Sequence, residues 1–172
     1  NYQSWRQQLQ SVDLAAFISV SRNWTANGEP RRLEGVAATS SFPAVLGASL
    51  HLGRWFTEEE QRPGQHQVVV LGDSFWRRQF GRDDSVIGRK LVLEGEPYTV
   101  VGVARPELAV PSARDIWVPL LALPHTSDPN ANRGNRFLKV AGRLKPGFTI
   151  AQAQAELSSL TRDLEQQFPR FN

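Results

Sequence analysis

Apolar residues alternate with polar ones in some stretches of this chain and recur every three or four positions in others, and the change of period marks out its elements. Residues 67–106 carry the clearest block, which reads strand, helix, hairpin. Val68, Val69, Val70 and Leu71 form a short β-branched run closed by Gly72, the pattern of a strand covered on both faces. Phe75, Trp76 and Phe80 then supply apolar bulk against Arg77, Arg78 and Gln79 on the wet side of a helix. Asp73 or Ser74 is placed to cap that helix and Gly81 to end it. Residues 90–93 and 98–103 are two β-rich runs joined by Glu94, Gly95, Glu96 and Pro97, which is hairpin spacing.

Elsewhere the signals are shorter. Tyr2, Trp5 and Leu9 fall at helical spacing among polar residues, predicting a short amphipathic helix lying on a sheet. Residues 14–21 read as a strand with Ala16, Ile18 and Val20 on one face; Asn27 and Gly28 turn it, and residues 32–39 return as its partner. Pro43 in a first turn and Gly47 at the end predict a single helical turn. Thr57 and Glu60 form a T-x-x-E capping box after Trp55 and Phe56. Residues 104–111 are proline-punctuated, 116–121 make a compact apolar strand, 124–135 are the most loop-like stretch, and 137–144 resume as a strand. Thr149 and Gln152 then cap a last helix, on which Ile150, Ala153, Leu157, Leu160 and Leu164 form one stripe. That stripe is expected to lie on the domain's own sheet, with coiled-coil pairing as the alternative.

Single helices among short strands make the class α+β. A length of 172 residues suits one domain or two small subdomains. The net charge of +3 is spread among acids and forms no stripe, so nucleic acid is not expected as a partner. With no cysteine in the chain, disulfides, thiolate catalysis and cysteine zinc sites are excluded. Methionine is also missing, no apolar run approaches the length of about 18 residues that spans a bilayer, and no signal-peptide pattern opens the chain. The expectation is a piece of a longer polypeptide whose membrane anchor lies outside it.

Candidate chemistry is sparse. Gly72-Asp73-Ser74 after a strand looks like the opening motif of the GDSL hydrolases, whose serine needs a histidine partner. That family's late Asp-x-x-His is missing here, and Ser74 reads as a helix-start residue. Glu58, Glu59 and Glu60 could be metal ligands or paired acids, but acids in a first helical turn are explained by the helix dipole. His51, His66 and His125 lie far apart without the spacing of a zinc site. Asn23-Trp24-Thr25 is formally a glycosylation sequon and is taken as chance. Neither a P-loop nor a G-x-G-x-x-G cradle is present. No catalytic, cofactor-binding or metal residue is assigned.

The run from VVVLGDSFWRRQFG through VIGRKLVLEGEPYTVVGV resembles the signature of the MacB-like periplasmic core domain, found in bacterial ABC-transporter permeases of the MacB and FtsX type. Residues 45–60 (VLGASLHLGRWFTEEE), 115–120 (DIWVPL) and 138–157 (LKVAGRLKPGFTIAQAQAEL) are similar to further elements of that family; residues 22–30 and 126–135 carry no family pattern. The resemblance implies a helix-on-sheet, porter-like subdomain from residues 1–85 and 136–172, with a strand-rich, sabre-like subdomain, residues 86–135, inserted between them. It also implies the periplasmic domain of an inner-membrane ABC permease, held between two membrane helices, that transmits ATP-driven change outward for export. Its partners would be the permease's membrane helices, an ATP-binding subunit or domain, and a periplasmic adaptor protein. On this reading the domain is not an enzyme and holds no cofactor, and both termini lead into the bilayer from one side. A freestanding periplasmic ligand- or protein-binding module is the alternative.

Overall fold

The computed structural model describes residues 2–26, 28–108, 114–121 and 138–167. In chain order the elements are α1 (Tyr2–Gln8), β1 (Val12–Ala26), β2 (Glu29–Ala38), α2 (Phe42–Leu46), β3 (Leu50–Gly53), β4 (Val68–Leu71), α3 (Asp73–Phe80), β5 (Lys90–Leu93), β6 (Glu96–Ala104), β7 (Ile116–Pro119), β8 (Lys139–Leu144) and α4 (Ile150–Gln167). The α+β class stands. The loop at 124–135, with His125, lies outside the described residues.

All eight strands among the described residues share one mixed sheet, and six of them close into a ring in the order β1-β2-β7-β4-β6-β5 and back to β1. The pairs β2–β7 and β4–β6 are parallel and the other four are antiparallel. Closure leaves no open edge inside the ring. Beyond the ring, β3 adds to β6, and β8 pairs with β1 over Val12 to Phe17. One cluster takes residues from all six ring strands, including Ala16, Leu33, Val69, Leu93, Val103 and Ile116, and so fills the inside. Helix α3 belongs to the same cluster through Phe75 and Trp76, while Trp24 of β1 stands edge-on to Phe75 at 5.3 Å. A second cluster on the outer face joins Phe17, Val36, Val70 and Trp117 to Phe42 and Val45 of α2. Because β4 feeds both clusters, all four of its residues are buried, as the β-branched run predicts.

Several expectations need correction. Neither Asp73 nor Ser74 caps α3; the cap position is Gly72, in extended conformation and without a side-chain bond. The reason is crowding: a Cβ on Gly72 would stand 1.8 Å from the Arg114 carbonyl oxygen. The hairpin loop is two residues, Glu94 and Gly95, and not four, with Glu96 and Pro97 already in β6. Both loop residues have positive φ, 52° and 83°, the backbone of a type I′ turn. Glutamate is an unusual occupant there, and it is held from outside: its carboxylate accepts from the Asn23 N–H at 2.6 Å and its own N–H donates to the Asn23 carbonyl at 2.9 Å. The first strand is longer than expected, running to Ala26. The capping box at Thr57 and Glu60 forms reciprocally, at 2.8 and 3.3 Å, but opens only a single 3-10 turn, Glu59–Gln61.

The stripe of α4 departs furthest. Leu160 and Leu164 are buried with Leu9, whereas Ile150 is 65% and Leu157 37% exposed, so the helix does not lie on the sheet along its whole length. The strands of residues 86–135 that are described, β5, β6 and β7, hydrogen-bond directly to β1, β2, β3 and β4. The hydrogen bonding therefore shows no gap at 85/86.

Candidate functional site

At the strand-to-helix turn, the Gly72-Asp73-Ser74 motif brings a histidine near, but to the wrong residue. His51 Nε2 lies 3.1 Å from Asp73, which also receives Arg77 Nε at 2.9 Å, one helical turn on. No hydrogen bond joins Ser74 to His51 or His66, so Ser74 has no general base among the described residues. His66 sits instead in its own loop, where its Nδ1 accepts from the Gly64 N–H at 3.2 Å. Trp24, the middle of the Asn23-Trp24-Thr25 sequon, packs against the ring core.

The three consecutive acids diverge. Glu58 accepts from Arg6 at 2.8 Å and from Ser40, and Glu60 is gripped by both terminal nitrogens of Arg54 at 2.7 and 2.8 Å. These bonds, more than any burial, hold both carboxyls below the usual carboxylate range. Among the described residues no three His, Asp or Glu side chains gather as a metal would require.

What the fold does assemble is a junction between the first and last helices. Sequence reasoning missed its key residue, Glu156. From beside the apolar stripe of α4, one carboxylate oxygen accepts the Gln10 N–H at 2.7 Å, and the other accepts the Ser11 N–H at 3.1 Å and the Ser11 hydroxyl. Those bonds, the serine hydroxyl first, lower its pKa. One turn further along, Leu160 and then Leu164 bury against Leu9, with Trp5 packed beside them. Since α4 meets residues 10–11 first and Leu9 and Trp5 after, it runs antiparallel to α1. Arg6 on the same short helix ties it to the barrel through Glu58. No sequence signal marks Glu156, because its partners are mostly backbone N–H groups that every residue carries.

This architecture is a closed mixed barrel with the chain's first and last helices packed beside it. The chain belongs to the MacB-like periplasmic core domain family, whose model matches residues 1–160. It is 24% identical over 156 residues to the macrolide export ATP-binding/permease protein MacB of Rhodospirillum rubrum, covering 87% of this chain and 24% of that relative's length. Its fold is similar to the periplasmic region of MacB from Actinobacillus actinomycetemcomitans, with a TM-score of 0.70 and 17% identity, covering 99% of this chain and 75% of that one. It is similar too to the extracellular domain of the noncanonic ABC-type transporter YknZ from Gram-positive bacteria, with a TM-score of 0.67 and 15% identity, covering 97% and 81%.

Proposed function

We propose that this chain is the outward-facing domain of an inner-membrane ABC permease and that it carries ATP-driven motion of membrane helices to the periplasm during export of a substrate. The antiparallel pairing of α1 and α4 supports this most directly, since a domain held at both ends by membrane helices needs both ends on one side. Movement of those helices would reach the barrel through three ties: Glu156 on residues 10–11, Arg6 on Glu58, and the pairing of β8 with β1. The body being moved is the six-stranded ring with its packed interior, which suits rigid-body displacement on a stalk. The two-part layout, residues 1–85 and 136–172 with residues 86–135 inserted between them, also belongs to this proposal. ATP binding and hydrolysis fall to a separate domain or subunit, and a periplasmic adaptor is a further proposed partner. The domain's own role is mechanical, not catalytic.

The parent polypeptide tests this reading. It should encode apolar segments of about 20 residues, the length that crosses the hydrocarbon core, within a few tens of residues before Asn1 and again after Asn172. A parent with only a cleavable signal peptide upstream and no spanning segment downstream would contradict the permease reading and favour the freestanding binding module.

A further inference from the structure

A cavity of about 280 Å³ opens where α1, α2, the start of β1 and the turn after β8 meet. Part of its wall is apolar, from Leu9, Leu14 and Val45, and part is charged, from Arg6, Arg143, Lys145 and a single acid, Asp13. The ion pairs decide which charge is available. Arg6 is engaged by Glu58 at 2.8 Å, and Lys145 stands 3.4 Å from Asp13, a long, exposed contact of little strength. The neighbouring Glu156 accepts from Gln10 and Ser11 and keeps its charge, which also acts on Lys145. Arg143 has no carboxylate partner among the described residues. Its Nε donates to the Val45 carbonyl at 2.7 Å, which fixes the plane of the guanidinium and leaves both terminal nitrogens as donors. Gly47 keeps that place open, because a Cβ there would lie 2.9 Å from Arg143 Nη2.

A planar fork held by one bond, with an ammonium from the next turn beside it and apolar wall around it, matches the chemistry of an anionic head on a short apolar chain. We propose that this cavity binds a single-chain amphiphilic anion, its phosphate or carboxylate head on Arg143 and Lys145 and its chain against Leu9, Leu14 and Val45. At about 30 Å³ per water the space equals about nine water molecules, so the ligand is small. The site shares Arg6 and the β8–β1 pair with the proposed ties, but binding there does not require the transmission of motion.

The test is titration of the chain with octyl phosphate below its micelle concentration, followed by amide shifts in NMR, alongside inorganic phosphate and the uncharged octyl glucoside. Octyl phosphate should saturate the residues around the cavity and bind at least tenfold more tightly than either control. Lys145→Glu and Arg143→Gln should each weaken it at least tenfold. If Arg143→Gln loosens α2, the half-buried Lys145→Glu decides alone. Equal binding of octyl glucoside would overturn the role of the cations, equal binding of inorganic phosphate would overturn the role of the apolar wall, and unchanged affinity in Lys145→Glu would overturn the placement.

Discussion

Helix α3 buries Phe75 and Trp76 to 1% and 7% exposure inside the ring, whereas α4, with an equally plain apolar stripe, covers Leu160 and Leu164 and leaves Ile150 65% exposed. The difference lies in what each helix meets. The first follows β4 directly and packs into the cluster to which all six ring strands contribute. The second meets α1, whose seven residues span about 10 Å against about 27 Å for the eighteen of α4, so the shorter helix can cover only part of the longer one. Val140 and Leu144 of β8 are likewise 37% and 36% exposed. An amphipathic stripe thus states that a helix has a face to cover; the supply of cover is a property of the tertiary partner.

The comparison can be broken by truncation, with the largest loss expected in the ring. Trp76→Ala removes a core aromatic whose Nε1 also donates to the Asp83 carbonyl at 3.0 Å, and should lower the unfolding free energy by about 3–5 kcal/mol in denaturant titration. Leu164→Ala should lose less, about 2–3 kcal/mol, because a thin layer with few neighbours collapses more readily around the gap. A loss equal to that of Trp76→Ala would mean that the two regions are equally packed.

Smaller effects sharpen the same contrast. The Glu156 carboxyl titrates below the usual range in the folded chain, so its contribution is present above the unfolded carboxylate value and is lost as pH falls through the folded one. Glu156→Gln should flatten the acid limb of stability by under about 1 kcal/mol, since the bonds are at the surface. Carboxyl NMR should show Glu156 titrating below the glutamates that lack such bonds, and titration at the ordinary value would remove the clamp from the account. Leu157→Ala, on the uncovered half of α4, should stay within about 0.5 kcal/mol of the parent chain.

Periodicity in the sequence shows most elements to within a few residues: residues 68–71, the helix beginning after Gly72, and the Thr149–Gln152 cap, whose bonds form at 2.8 and 3.2 Å. It does not show who pairs with whom. The parallel contact of β2 with β7 joins Gly35 to Ile116 across nearly half of the chain, and nothing local to either strand marks the other. The same holds for Glu94, whose left-handed backbone is sustained by Asn23, and for Arg143, which reads as a surface cation until Val45 is seen beside it. The resemblance of residues 67–106 to the permease family is correct because local spacing is what a family signature preserves. Its implied boundary at 85/86 finds no gap in the hydrogen bonding, because the ring closes over long range.

Hydrogen–deuterium exchange resolved along the chain tests the central claim, that a rigid ring is carried on a lightly held pair of end helices. Amides of β4, β6 and β7 should exchange only through global unfolding, while those in the first two turns of α4 should open at a free energy several kcal/mol lower. Equal protection of α4 and the ring strands would show one uniformly packed body and would contradict the division on which the proposed function rests.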